Sequence, residues 1–393
     1  MKESIKKRIE AVRRGEVPEG YVSENHQLRP VHWRYEKIGK YLVPHDEFSN
    51  NTEAYPLATS SRQGLMLQSE YYSDQRYEET SGGFHVVPEG YVTYRHMSDD
   101  DIFRFNVNRM GTPVLVSPEY PVFTTAAGLD QNLLMAYLNN MKEFTAYCSA
   151  QKKGSTRTRM YFSRLGEFAM PIPPVFEQQK IAEILATCDR VIELKQQLLE
   201  EKRRQKRCFM QHFFQSDNWA KTTLSELADI DTGDADTQDR VIDGKYPFFV
   251  RSATIERIDT YSYDGEAILT PGDGKIGEIF HYFIGKFNYH QRVYKISNFH
   301  GCSGKYIYYY LQFFFKKRAC LMTAKATVDS LRREMLTDMP IFLPSAAEQE
   351  RIVCVLDSCE KEIELLQNAL EYEKLKKKAL MQLLLTGLVR VNA

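Results

Sequence analysis

Asp264 and Asp273 stand nine residues apart, and Asp273-Gly274-Lys275 reads D-x-K. Two carboxylates and a lysine can hold Mg²⁺ and position an attacking water. The same residues also make ordinary turns, Asp264-Gly265 and Pro271-Gly272-Asp273-Gly274, and a D…D-x-K match is frequent by chance. A structural or ligand-contact role is therefore the better reading of these carboxylates. Gly274-Lys275 is not a phosphate loop, because Ile276 follows where Ser or Thr is needed and Leu269 occupies the earlier glycine position. A methyltransferase is disfavoured too, since neither an N-P-P-[FY] or D-P-P-[FY] tetrapeptide nor a glycine-rich cofactor loop of the usual kind occurs. None of the seven cysteines forms a C-x-x-C pair, and no histidine lies at zinc-ligand spacing. They read as reduced thiols of a cytoplasmic protein, with no metal site.

What remains is chemistry of contact, carried by basic and polar side chains. In the first half of the chain the candidates are Lys152, Lys153, Ser155, Arg157 and Arg159, clustered in one polar loop, with Arg104 and Arg109 as weaker choices. In the second half they are Arg251, Lys275, Gln291, Arg292, Lys325, Arg332 and Arg333. For each of them a surface ion pair is the competing explanation.

The elements that position these residues come in duplicate. Pro173–Gln215 aligns with Pro344–Thr386 at an offset of 171 residues. Glu177-Gln178 meets Glu348-Gln349, Cys188 meets Cys359, Lys206 meets Lys377 and Met210-Gln211 meets Met381-Gln382. Generic helix composition would not reproduce those pairs in one register. Each copy predicts one long helix, entered after a proline-containing segment and ~60 Å long at 1.5 Å per residue. Its apolar stripe alternates steps of four and three, the spacing of a helix-pair seam. The seam residues are Ile181, Leu185, Cys188, Ile192 and Leu199 in one copy, and Ile352, Leu356, Cys359, Ile363, Leu366 and Leu370 in the other. Lys195 interrupts the first stripe.

Before each helix lies a globule of short β-branched and aromatic runs bounded by Gly, Pro and Asp. Examples are Gly83–Pro88, Gly90–Met97 and Gly111–Phe123 in the first, and Tyr246–Arg251, Glu266–Gly274 and Arg292–Ser297 in the second. Each globule ends in a helical stretch, Gln131–Met141 or Lys305–Arg318. A chain of 393 residues with 43% hydrophobic content can build several cores. Residues 1–14 are too charged for a signal peptide, and no apolar run is long enough to span a membrane. The formal net charge is zero, whereas a solitary DNA binder is usually basic.

Two further stretches complete a recognisable order. PIPPVFEQQKIAEIL (Pro171–Leu185) and LPSAAEQERIVCVL (Leu343–Leu356) resemble the two conserved helical regions of type I restriction-modification specificity subunits. RRGEVPEGY (Arg13–Tyr21) is similar to the leader of those subunits, and KKALMQLLLTGLVRV (Lys377–Val391) to their chain end. GSTRTRMYFSRL (Gly154–Leu165) resembles the close of a target-recognition domain, and ATVDSLRREML (Ala326–Leu336) sits in the same place in the second. The resemblance covers nearly the whole chain. It implies an α+β fold: two globular target-recognition domains of mixed β-sheet with short helices, joined by two long antiparallel coiled-coil helices in a duplicated, pseudo-two-fold architecture. The expected boundaries are a leader helix 1–30, the first recognition domain 31–170, a helical spacer 171–216, the second recognition domain 217–342 and a second spacer 343–393.

The resemblance further implies a non-catalytic subunit that reads two half-sites of double-stranded DNA and docks two modification subunits, with restriction subunits joining in systems that cleave. S-adenosylmethionine, ATP and Mg²⁺ are then expected on those partners, and no cofactor on this chain. A nuclease is the enzymatic alternative, but the first globule holds no equivalent of D…D-x-K. A pure scaffold is the other, with Lys202–Arg207 and Lys374–Lys378 as solvated faces. It leaves two divergent globules on matching helices unexplained.

Overall fold

Proline and glycine punctuation sets the local architecture from the first turns. The computed structural model describes residues 3–25, 27–71, 83–152, 157–215, 219–323 and 330–391. The leader, expected as a helix over 1–30, is helical among its described residues only over Glu3–Arg13. Gly15, at φ +76, and Pro18 stop it, and Tyr21–Glu24 pairs with Gln27–Pro30 as an antiparallel hairpin.

The chain divides into two compact units, residues 1–193 with 371–393, and residues 194–370. In the first, short strands form a four-stranded sheet in the order Phe105–Val107, Val92–Tyr94, Val122–Thr125, Leu42–Pro44. A three-stranded sheet of Val114–Val116, Phe84–Val87 and Phe48–Ser49 accompanies it. The helix Gln131–Asn140 (α1) is capped by Asp130, whose side chain accepts from the Leu133 amide. It buries Leu133, Leu134, Tyr137 and Leu138 in a core with Trp33, Phe105, Phe123 and Met170.

The second unit holds a six-stranded mixed sheet. Its order is Asp229–Thr232, Val293–Ser297, Tyr263–Pro271, His281–Tyr289, Tyr246–Phe249, Ile255–Ile258. Every neighbouring pair is antiparallel except Tyr246–Phe249 beside His281–Tyr289.

The long helices are Val175–Phe213 (α2), of 39 residues, and Ala346–Leu385, of 40. Between them in the chain lies Gly304–Thr323 (α3), and the last long helix is α4. Helix α3 packs its tyrosines inward, and three of their hydroxyls donate to named partners: Tyr306 to Phe342 O at 2.7 Å, Tyr309 to Asp357 at 2.5 Å and Tyr310 to Pro340 O at 3.1 Å.

Within each unit the two long helices run antiparallel. In the first unit Ile181 and Leu185 pack with Leu384, Leu385 and Met381, and Lys377 bonds Asp189. In the second, Met210 packs with Ile352 and Leu356, Lys206 bonds Glu360, and Lys202 pairs with Glu362 at 2.7 Å. Lys206–Glu360 and Asp189–Lys377 are the same pair displaced by the 171-residue repeat.

The seam differs from a uniform coiled coil. Ile181, Leu185, Ile352 and Leu356 are buried in the domain cores, and Leu199 and Leu370 are also buried. Cys188, Ile192, Cys359, Ile363 and Leu366 are only half-buried. The globules account for the first group, since Ile181, Leu185, Ile352 and Leu356 lie where a domain core covers the helix.

The repeat extends beyond these helices. The short helices Phe162–Gly166 and Arg333–Thr337, and the strands Ala169–Ile172 and Pro340–Leu343, each lie 171 residues apart. Those strands pair with Arg34–Lys37 and Ala220–Thr223 in equivalent register, Ala169 opposite Lys37 and Pro340 opposite Thr223.

The Glu-Gln pairs anchor this frame. Gln178 Oε1 accepts from the Asp130 amide at 2.6 Å, and its Nε2 donates to Gly128 O and Pro173 O. Gln349 does the same toward the Ser303 amide at 2.8 Å and Pro344 O. Glu177 serves only the first unit, accepting from Trp33 Nε1 at 3.2 Å and pairing with Arg390.

Candidate nucleic-acid interface

Near its close each globule pairs with one loop that holds aspartate. In the first unit Thr158–Arg159 pairs with Met97–Ser98, just before Asp99-Asp100-Asp101. In the second, Ser330 bridges Asp273. Arg159 and Ser330 are separated by 171 residues, so the two loops occupy one place in the duplicated frame.

In the first unit each aspartate restrains a polar or basic neighbour. Arg157 Nε donates to Asp99 at 2.7 Å. Arg62 Nη2 donates to Asp100 at 2.5 Å, and Ser98 Oγ to the same oxygen at 2.9 Å. Asp101 accepts from Thr158 Oγ1 and lies 3.7 Å from Lys152. The Arg62 guanidinium holds Asp100 below the usual carboxylate range, and the Thr158 hydroxyl does so for Asp101.

Beside this loop is a cleft of about 620 Å³, lined by Arg62, Gln63, Arg95 and Arg104 over a floor that includes Ser60 and Ser61. Asn106, buried, braces that floor by donating to Ser60 Oγ at 2.8 Å and Ser61 O at 2.9 Å. Arg95 and Arg104 are exposed. Among the described residues neither has a hydrogen-bonding or ion-pair partner.

In the second unit Arg251 and Arg292 converge on Asp273. Arg251 Nη1 lies 3.2 Å and Arg292 Nη1 3.1 Å from the same oxygen, Oδ2. Burial raises the Asp273 pKa, but the hydrogen bonds and charge of Arg292 and Arg251 outweigh it and leave the group below its ordinary value. The turn is pinned on two sides: Gly272 N donates to Arg292 O at 2.7 Å, and Leu331 N donates to Gly272 O at 2.8 Å. A side chain at Gly272 would place its Cβ 2.9 Å from Arg292 O, so the approach needs glycine. Lys275 is exposed in the same turn, and Gln291 donates to Asp236 at 3.0 Å.

The structure thus brings together Arg251, Lys275 and Arg292, and places Arg332 one residue beyond the pinned Leu331. It gathers Lys152, Arg157 and Arg159 around the Asp99–Asp101 loop and puts Arg104 in the cleft. Arg333 is not in this group: its Nη2 donates to Ile230 O at 2.7 Å and ties the short helix to a strand. Arg109 does not line the cleft and donates to Asn132 at 3.0 Å. Lys153, Ser155 and Lys325 lie outside the described residues. Arg62, Gln63 and Arg95 were not among the sequence candidates. The first two form the tip of the Ala58–Ser61 and Gly64–Leu67 hairpin, and their signal was a polar Arg-Gln-Gly turn between two short strand-like runs.

The catalytic alternative finds no geometry. Asp264 lies near the start of the strand Tyr263–Pro271 and Asp273 just past its end, roughly 20 Å or more apart at ~3.3 Å per residue. Asp273 is already engaged by two arginines. Among the described residues no group of three or more His, Cys, Asp or Glu is placed to hold a metal ion. Among the described residues no helix is long and apolar enough to cross a membrane.

The type I restriction modification DNA specificity domain matches residues 105–202 and 216–373, well over half of the chain. Over 157 residues the chain is 30% identical to the type I restriction enzyme EcoDI specificity subunit of Escherichia coli, covering 39% of this chain and 34% of that protein. It thus spans about a third of that relative's length. A putative type I restriction enzyme MjaX specificity subunit of Methanocaldococcus jannaschii is 22% identical over 300 residues, 66% of this chain and 68% of that one. Among solved structures, the S subunit of a type I restriction-modification system from M. genitalium superposes with a TM-score of 0.62 at 14% identity, covering 90% of this chain and 96% of that one. A chain from a structure of complex assembly and conformational transition of the type I system gives 0.54 at 15% identity, covering 92% and 99%. Those two likenesses show the fold. The matched segments take in the first part of each helical repeat and the second aspartate loop, so the chain belongs to the type I restriction-modification DNA specificity family, with that domain matched twice along it.

Proposed function

We propose that this chain is the sequence-reading subunit of a type I restriction-modification complex. Each globule reads one half of a bipartite, asymmetric site in double-stranded DNA. The long helices set the separation of the half-sites and dock two modification subunits, and restriction subunits join where the system cleaves. The chain itself performs no catalysis, and S-adenosylmethionine, ATP and Mg²⁺ belong to the partners. The observation that carries this reading is the duplicated frame with different side chains at the same loop: Arg157 on Asp99 in one unit, Arg251 and Arg292 on Asp273 in the other. One frame used twice with unlike contacts suits two unlike half-sites.

Exposed apolar side chains on α4, Leu365, Tyr372 and Leu375, support docking along that helix. The neutral net charge supports shared phosphate contacts, since a tight solitary binder would carry a basic excess. Seven cysteines that form no disulfide suit a reducing cytoplasm.

The test is methylation mapping in cells that express this chain with its modification subunit. Replacing residues 217–340 with the matching domain of a relative is expected to change one half-site and leave the other intact. Simultaneous change of both halves would refute independent reading, and methylation without sequence preference would favour a scaffold. Specific binding at physiological salt is expected only with the modification subunit present; nanomolar specific binding by the chain alone would contradict that part.

A further inference from the structure

We infer that Asp273 is a positioning residue that holds Arg251 and Arg292 as a preformed fork for the major-groove edge of a guanine in the second half-site. The inference rests on the proposed reading of DNA by this domain and names the residues that perform it.

Three separate elements meet here. Arg251 follows the strand Tyr246–Phe249, Asp273 follows Tyr263–Pro271, and Arg292 precedes Val293–Ser297. Pro271 pairs with Val293 across the sheet, which puts Asp273 and Arg292 at one end of adjacent strands. Both guanidinium groups reach one carboxylate oxygen, at 3.2 and 3.1 Å. The side chains of Arg251 and Arg292 are 47% and 64% exposed, against 24% for Asp273. Among the described residues that carboxylate is the only hydrogen-bond partner of either guanidinium. Each arginine thus commits one of its five donors and keeps the rest of its planar fork.

This arrangement is a poor device for stability alone. Exposed ion pairs contribute little, and two cations on one anion leave an excess positive charge, with Lys275 two residues away. It is equally a poor phosphate clamp, because the aspartate cancels half of the charge that would attract a phosphate. It suits base reading. A guanine presents O6 and N7 to a bidentate arginine, the commonest specific contact in the major groove. An arginine already fixed by a carboxylate loses less side-chain freedom on making that contact.

The experiment uses the chain assembled with its modification subunit and a library of DNA sites randomised across both half-sites. Methylation or binding preference at each position is measured for wild type, R251K, R292K and D273N. Lysine keeps the charge and removes the bidentate fork. Both lysine variants are expected to lose about tenfold or more of the guanine discrimination at one or two adjacent positions of one half-site. The salt dependence of overall binding should not change. D273N is expected to weaken discrimination at those same positions, with an unchanged melting temperature and an intact other half-site. Lysine variants that retain every preference overturn the inference, as does a uniform loss over all positions, which would mark phosphate contact or misfolding. A wild-type complex with no sequence preference would instead sink the underlying DNA reading, and the fork with it.

Discussion

Replacing Gln178 by alanine should loosen the first unit at the joint between α1 and α2. Gln178 is fully buried. It accepts from the Asp130 amide at 2.6 Å and donates to Gly128 O at 3.0 Å and Pro173 O at 2.8 Å. Alanine leaves one part-buried N–H without its acceptor and removes a donor from two carbonyls, of which Pro173 O is buried. A stranded buried polar group costs about 1–3 kcal/mol. Carbonyls tolerate the loss better than an amide does, so the sum comes to about 2–4 kcal/mol. Asp130 is also the N-cap of α1, so the helix start is loosened with it. Hydrogen exchange followed by mass spectrometry is the suitable assay, because a chain of two units need not unfold in one step. At 1.4 kcal/mol per factor of ten, amides over 128–140 and 173–185 should exchange roughly 30- to 700-fold faster. Residues 246–300 serve as the internal reference. Q178E keeps the acceptor but turns an oxygen toward two carbonyls, and should not rescue. Q349A, which strands only the Ser303 amide and Pro344 O, should cost less in the second unit. Unchanged protection in Q178A, or full rescue by Q178E, would refute the reasoning.

Three other outcomes follow from the same geometry. A double-mutant cycle on Lys206 and Glu360 should give a coupling near 1 kcal/mol, against about 0.5 kcal/mol for the more exposed Lys377 and Asp189. Both couplings should shrink in high salt, and equal values would show that burial does not decide them. At pH 8 iodoacetamide should alkylate the exposed Cys208 and Cys354 quickly. It should spare Cys148, which burial pushes up to about 12, until the protein is denatured; early labelling of Cys148 would contradict the packing. Seven residues inserted into each long helix, between Leu185 and Leu199 and between Leu356 and Leu370, add ~10.5 Å to each. That equals about three base pairs of spacer, with the half-site bases unchanged in a methylation map, and an unaltered spacer would show that the helices do not set the distance.

The chain alone determined what periodicity and repetition can encode. Steps of four and three placed two helices whose observed ends, Val175–Phe213 and Ala346–Leu385, lie close to the repeat. The paired Glu-Gln, Cys and Met-Gln positions announced a duplicated frame because each copy must meet the same local packing. Gln178 and Gln349 show why: both satisfy backbone groups at equivalent joints. Tertiary structure decided the rest, because contact depends on which loops meet. Whether Asp273 was a metal ligand or a brace depended on Arg251 and Arg292, which lie 22 and 19 residues away in sequence. Arg62 and Arg95 became cleft residues only when a hairpin tip folded beside the Asp99–Asp101 loop. Arg333, equal to its neighbours in composition, was taken out of that group by one carbonyl oxygen on a distant strand. The seam likewise depended on the globules, whose cores claim Ile181, Leu185, Ile352 and Leu356. A helical stripe states which side is apolar, but burial is settled by whatever covers that side in three dimensions.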